Sequence, residues 1–134
     1  MCCSTADVPP IELKRQHQTL RARVSRLREA LAAPGDQRAA LASAVGELLP
    51  ELFQHESGEA ARLGPLLEGR PASLRVRVEG EHLTLRSLAR DLQLVLQNPN
   101  LYPYEHLARL SRGLADGLSA HIDFEEGAVL PPAV

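Results

Sequence analysis

The sequence predicts an all-α protein, an up-down-up-down antiparallel four-helix bundle. Three observations point there. Leu and Ala dominate an apolar fraction of 44% while aromatic residues are only 3%, a mixture that suits helices and serves strands poorly. Four segments repeat their apolar residues at the three-and-four spacing of a helix face buried against neighbours. The breaks between them are short and rich in Pro and Gly, and short connections favour antiparallel neighbours. A chain of 134 residues suffices for one domain with a substantial core.

The elements follow in order. The opening "MCCSTADVPP" lacks the basic start and apolar centre of a signal peptide, so residues 1–10 are expected to be a flexible segment and 11–131 the bundle. Pro9 and Pro10 precede the first helix, which runs to about Ala33. "PGD" ends it, and Asp36 offers an N-cap to the second, which lasts to about Glu68. Pro50 lies inside that run and is expected to kink it. "GRPAS" breaks the chain again, and Ser73 is placed to cap a third helix ending near Gln97. The entry to this helix is its least regular part. "LRVRV" alternates like a strand, and Gly80 costs ~1 kcal/mol against Ala in a helix, so a short strand-like or irregular start is an alternative there. After "NPNLYP", Pro103 suits the first turn of a fourth helix, expected to fade before Pro131 and Pro132. No sequence repeat goes beyond this four-helix pattern.

Charge and cysteine content narrow the partners. With 24% charged residues and a net charge of −2, neither nucleic acid nor a membrane surface is an expected partner. No stretch reaches the ~20 apolar residues of a membrane span. The only cysteines, Cys2 and Cys3, are adjacent and do not readily close a structural loop, which fits a reducing cytoplasm. The pair is either part of a frayed terminus or a redox-active or metal-holding thiol pair near a site.

The buried stripes carry the chemistry. In "ELFQHESGEAARL" a histidine and a glutamate, His55 and Glu59, occupy positions where leucines are expected. The same occurs elsewhere. His17 interrupts the stripe of helix one, His82 that of helix three, and His121 with Glu125 that of helix four. A single histidine on such a face is ordinarily bonded to a backbone carbonyl, but here counting places all four at one height. His17 and His82 lie about 15 residues before their helices end, and His55 and His121 about 19 after theirs begin, roughly 22–28 Å from one end of the bundle. A His-to-Glu interval of four turns both side chains the same way. Four imidazoles and two carboxylates in a dry core are costly unless something pairs them, and a metal does so. The set is too large for one tetrahedral zinc and suits two metals, with mixed N/O ligation in a bundle pointing to di-iron or di-manganese.

An early His, then "HESGE", then "EH", then "HIDFEE" and "LPP", resembles the hemerythrin-like, or HHE cation-binding, domain over about Ile11 to Pro131. The resemblance implies a non-haem, oxo- or hydroxo-bridged di-iron centre. It places His17 and His55 on one iron and His82 and His121 on the other, with Glu59 and Glu125 bridging. It also implies a small gaseous or peroxide ligand such as O2, NO or peroxide, bound or sensed, and a separate protein partner for any signalling output. Enzyme-like reduction of peroxide or NO, iron donation for repair of iron–sulfur clusters, and iron storage are the alternatives, beside a plain bundle with an empty site. The sequence departs from the oxygen carriers of the family. They place a second histidine four residues after that of helix three, where this chain has Arg86. Glu56 matches an extra ligand of some regulatory members, or else is a solvated flank residue. Carriers take their last carboxylate from the position of Glu126, whereas helical geometry prefers Glu125 unless a π-bulge intervenes. Glu81 and Arg86 either orient ligands from outside or lie on the surface. His106 falls ~22 Å from His121 along the helix and is not expected to join the site, and Tyr102 and Tyr104 are expected to pack.

Overall fold

The computed structural model describes residues 10–129, and within them every long element is helical. Helices α1 (Pro10–Ala32), α2 (Arg38–Leu67), α3 (Ala72–Gln97) and α4 (Tyr104–Phe124) are followed by a π-helical turn, Glu125–Val129, and no strand occurs among the described residues. The expectations for the N-terminal segment, for Cys2 and Cys3 and for Pro131 and Pro132 concern positions outside the described residues.

The helix ends show where local chemistry prevailed. Gly35 (φ 81°) and Gly69 (φ 75°) supply the left-handed backbone of the first two connections, a conformation that costs a residue with a Cβ. Asp36 does serve the start of α2: its carboxylate accepts the backbone N–H of Arg38 at 2.9 Å, although Gln37 occupies the N-cap position. Ser73 does not cap α3. Pro71 stands at that N-cap, and Ser73 lies inside the first turn. The strand-like entry is not formed either, since α3 is helical from Ala72 through Gly80. The reason is which residues find a core. Leu74 and Val78, four apart, pack inward, while Val76 between them remains 67% exposed. The alternation of "LRVRV" therefore resolves into a helix face. Helix α2 continues through both Pro50 and Pro65 as one element.

Contacts between helices run in opposite senses. Along α1, Arg23 meets Glu51 at 2.7 Å and Arg26 meets Glu47 at 2.7 Å, so rising numbers on α1 meet falling numbers on α2. Arg21–Asp123 and Arg28–Asp116 do the same between α1 and α4. Leu85 against Gly117 and Leu88 against Gly113 do it between α3 and α4.

The apolar core is split in two. The larger part includes Leu20, Leu27, Leu48, Leu52, Leu92 and Leu118, and the smaller comprises Leu13, Leu63, Leu67, Val78 and Val129. On every helix the residues that part the two are polar. His17 falls between Leu13 and Leu20, His55 and Glu59 between Leu52 and Leu63, His82 between Val78 and Leu85, and Glu125 between Ile122 and Val129, with His121 one turn before it.

Candidate metal centre

All six polar side chains expected on the inner faces are buried. Relative exposure is 0% for His17 and Glu59, 1% for His121 and Glu125, 2% for His55 and 8% for His82. They form two overlapping groups. His17, His55, Glu59 and Glu125 bring one ligand atom each within 4.8 Å of one another, and so do Glu59, His82, His121 and Glu125. Glu59 and Glu125 belong to both groups.

The inner contacts run through the Nε2 atoms. His17 Nε2 lies 2.9 Å from Glu125 Oε1, and His121 Nε2 lies 2.8 Å from Glu125 Oε2 and 3.3 Å from Glu59 Oε1. His55 Nε2 faces Glu59 Oε2, His82 Nε2 faces Glu59 Oε1, and the Nε2 atoms of His82 and His121 stand 3.1 Å apart.

Three outer contacts determine what those nitrogens carry. His17 Nδ1 donates to Glu126 Oε2 at 2.9 Å, His55 Nδ1 to Gln16 Oε1 at 2.8 Å, and His121 Nδ1 to Glu81 Oε1 at 2.7 Å. Each partner atom is an oxygen that accepts, so each Nδ1 bears the hydrogen. In a neutral ring Nε2 then presents a lone pair. Lone pairs of three imidazoles thus point at carboxylate oxygens, an arrangement that is repulsive unless the rings take a second proton or a cation sits among them.

For His55, His82 and His121 the protein groups alone favour the protonated form. Burial by itself would depress the imidazoles, but hydrogen bonds and charge from Glu125 and Glu59 outweigh it, raising His55 and His82 to about 9 and His121 to about 11. Burial likewise penalises the two carboxylates, and hydrogen bonds from the surrounding histidines overcome it, holding Glu59 and Glu125 below the usual carboxylate range.

The structure separates the remaining candidates. Glu125 turns inward, and Glu126 supports His17 from outside while also meeting Arg21 at 3.3 Å. The π-helical turn begins only at Glu125, so the His121-to-Glu125 step keeps its α geometry. Glu56 is not a solvated flank. Its side chain is 7% exposed, neither carboxylate oxygen has a hydrogen-bond partner among the described residues, and Arg86 Nε approaches only to 3.8 Å. Burial pushes the Glu56 carboxyl up, against the opposing charge of His82. Arg86 thus faces Glu56, and Glu81 reaches a site histidine. His106 stays remote, stacked on Tyr102 at 5.1 Å, and Tyr102 and Tyr104 pack against the larger core. Sequence reasoning missed Gln16. The available signal was its place immediately before His17, the place Glu81 holds before His82.

The family profile described as hemerythrin HHE cation-binding domain matches residues 10–133, nearly the whole chain. The chain belongs to this family. No curated protein and no solved structure matches it significantly. The buried His/Glu groups of this hemerythrin-family chain are compatible with a metal site, and their donors suit one. The Oε2 atoms of Glu59 and Glu125 are buried against the Nε2 atoms of His55 and His121, in a cluster where imidazole nitrogens and carboxylate oxygens converge. No helix among the described residues is long and apolar enough to cross a membrane.

Proposed function

We propose that this protein is an up-down-up-down bundle holding two iron ions, or two manganese ions, and that the metal pair binds or senses O2, NO or peroxide in the cytoplasm. His17 and His55 would hold one metal, His82 and His121 the other, with Glu59 and Glu125 shared. The observation that carries the reading is the overlap of the two ligand groups at those two glutamates. Two cations on two shared carboxylates satisfy the inward lone pairs without extra protons, and mixed imidazole and carboxylate donors suit iron and manganese.

Bound there, the pair supplies redox chemistry and a coordination position for a small molecule. This chain's own residues do the rest. Gln16, Glu126 and Glu81 each hold an imidazole hydrogen at Nδ1, fixing ring orientation and aiming Nε2 inward. The leucines on either side of the layer exclude bulk water. Glu56 is the further oxygen donor for the His82/His121 half. A buried carboxylate without a hydrogen bond, its ion pair to Arg86 as long as 3.8 Å, supports that role, since its burial is otherwise only weakly offset.

Metal analysis of protein purified without added metal or a nickel column tests the reading. Two ions per chain are expected, with iron and manganese distinguished directly. Protein that neither contains nor takes up either metal would end it. Ultraviolet and visible spectra recorded with and without air, NO and peroxide then identify the small molecule.

A further inference from the structure

Helix α3 carries apolar residues on two opposite faces. Val78, Leu85, Leu92 and Val95 are buried in the bundle. Val76, Leu83 and Leu94 point the other way and are 67%, 66% and 50% exposed. At ~100° per residue these three lie within about 20° of one line along the helix. Among the described residues only one further large apolar side chain, Leu101, is exposed, so three of four share a single helix face. A scattered exposed leucine needs no explanation. A line of aliphatic side chains on a helix already buried on its other side marks a contact surface.

What borders this line fits a second copy of it. Gly80 lies at its edge, and a Cβ built there would meet nothing within 4 Å, so the backbone is open to close approach. Glu79 and Arg90 flank the line on its other side. Both are exposed, and neither has an ion-pair partner among the described residues. In an antiparallel helix pair about a two-fold axis, each flank meets the same flank of the other copy. Set Leu83 opposite Ser87 of the second copy, and Val76 falls opposite Leu94. The same register brings Glu79 within one residue's rise of Arg90, and symmetry repeats that charge pair. Arg86, the cation nearest the axis on that flank, is turned to Glu56. A parallel alignment would leave Glu79 facing no cation across the seam.

We propose that the outer face of α3 is a self-association surface. Two copies of this chain pair there antiparallel, with Val76 against Leu94 and Glu79 against Arg90. The pairing does not depend on whether the cluster holds metal. From Val76 to Leu94 the line is ~27 Å long. One helix pair of that length covers less than the ~800 Å² per partner of a standard interface, so the dimer is weak and forms only as concentration rises.

Analytical ultracentrifugation of the full-length chain over a wide concentration range tests the pairing. The parent should pass reversibly from monomer to dimer. Leu83→Glu should keep the chain monomeric with its circular dichroism unchanged, because that position is solvent-exposed in the single chain. Glu79→Arg and Arg90→Glu should each weaken the dimer severalfold, and the two together should restore it. Leu101→Glu, exposed but off the line, should associate as the parent does. A dimer that survives Leu83→Glu, or a double reversal no stronger than the single ones, would overturn the pairing. So would a parent that stays monomeric at its highest soluble concentration. A chain that dimerises only once residues 1–9 are deleted would assign the face to its own N-terminal segment, and overturns the pairing too.

Discussion

The α1–α2 half of the centre and the α3–α4 half are built to one plan and differ in how they are closed. In the first, both histidines have an outer acceptor, Glu126 for His17 and Gln16 for His55, and a narrow surface recess of about 110 Å³ is lined by His55. In the second, His121 leans on a carboxylate, Glu81, the recess over the seam is wider, about 330 Å³, but is lined by none of the six cluster residues, and an additional buried acid, Glu56, lies near. The comparison teaches that placing a histidine on an inner stripe sets only its height and direction. Its donor strength and accessibility come from the neighbour that receives its other nitrogen and from what covers the seam.

The largest effect should follow from removing what the halves share. Glu59→Ala deletes oxygens common to both groups and should abolish binding of both metals. His55→Ala should spare more of the second half and leave about one ion per chain, an estimate that follows from a closed ligand set for each metal. Metal content measured beside far-ultraviolet circular dichroism checks this. Equal loss in both variants with helices intact would break the division into halves.

Next is pH, because the same shared carboxylates act on histidines of both halves. His55, His82 and His121 have folded-state values raised above the ordinary 6.5, so their contribution to the stability of the metal-free protein is complete below that pH. It is lost as pH rises through about 9 for His55 and His82 and about 11 for His121. Glu59 and Glu125, held below their ordinary 4.5, contribute above it and lose that contribution as the solution becomes acidic. The thermal midpoint of metal-free protein should therefore be highest between these ordinary values and fall on the alkaline side. Metal must displace the imidazole protons, so binding in weak buffer near neutrality should release protons, and affinity should increase with pH. A metal-free midpoint still rising above pH 9 would contradict the sign.

Glu56→Leu sharpens the comparison by touching one half alone. Removing a buried carboxyl without a hydrogen bond should stabilise the metal-free protein by about 1–3 kcal/mol, read by urea unfolding, while weakening metal at the His82/His121 half. Stabilisation with unchanged affinity for both ions would leave Glu56 without a role in binding.

Smaller effects belong to the outer acceptors. Gln16→Ala and Glu81→Ala should each weaken metal by about 10–100-fold at the half they support, measured by competition with a chelator. His106→Ala, stacked at the distant end on Tyr102, should leave metal content unchanged, and comparable loss there would show that the centre is elsewhere.

Much of this was legible in one dimension. Helical periodicity assigns each residue to a face, and a fixed rise per residue assigns it a height, so His17, His55, His82, His121, Glu59 and Glu125 could be placed in one inward layer by counting. The same reasoning chose Glu125 over Glu126 for the inward position. It was weaker wherever the answer lay across helices. "LRVRV" has a strand's alternation, and only the presence of a core beside Leu74 and Val78 selects the helix. Glu56 lies one step off the stripe, and nothing local distinguishes a buried flank from a wet one.

The sequence by itself determined four helices, the side of each that is buried, and a level at which histidine and glutamate replace leucine, because these depend on spacing along a single chain. Only the tertiary structure decided which glutamates both groups share, which nitrogens bear hydrogen, that Glu56 is enclosed, and which seam is wider. Those depend on the rotation of each helix about its axis, on the lateral distance to its neighbours and on side-chain rotamers, none of which is encoded in the spacing of residues along one helix.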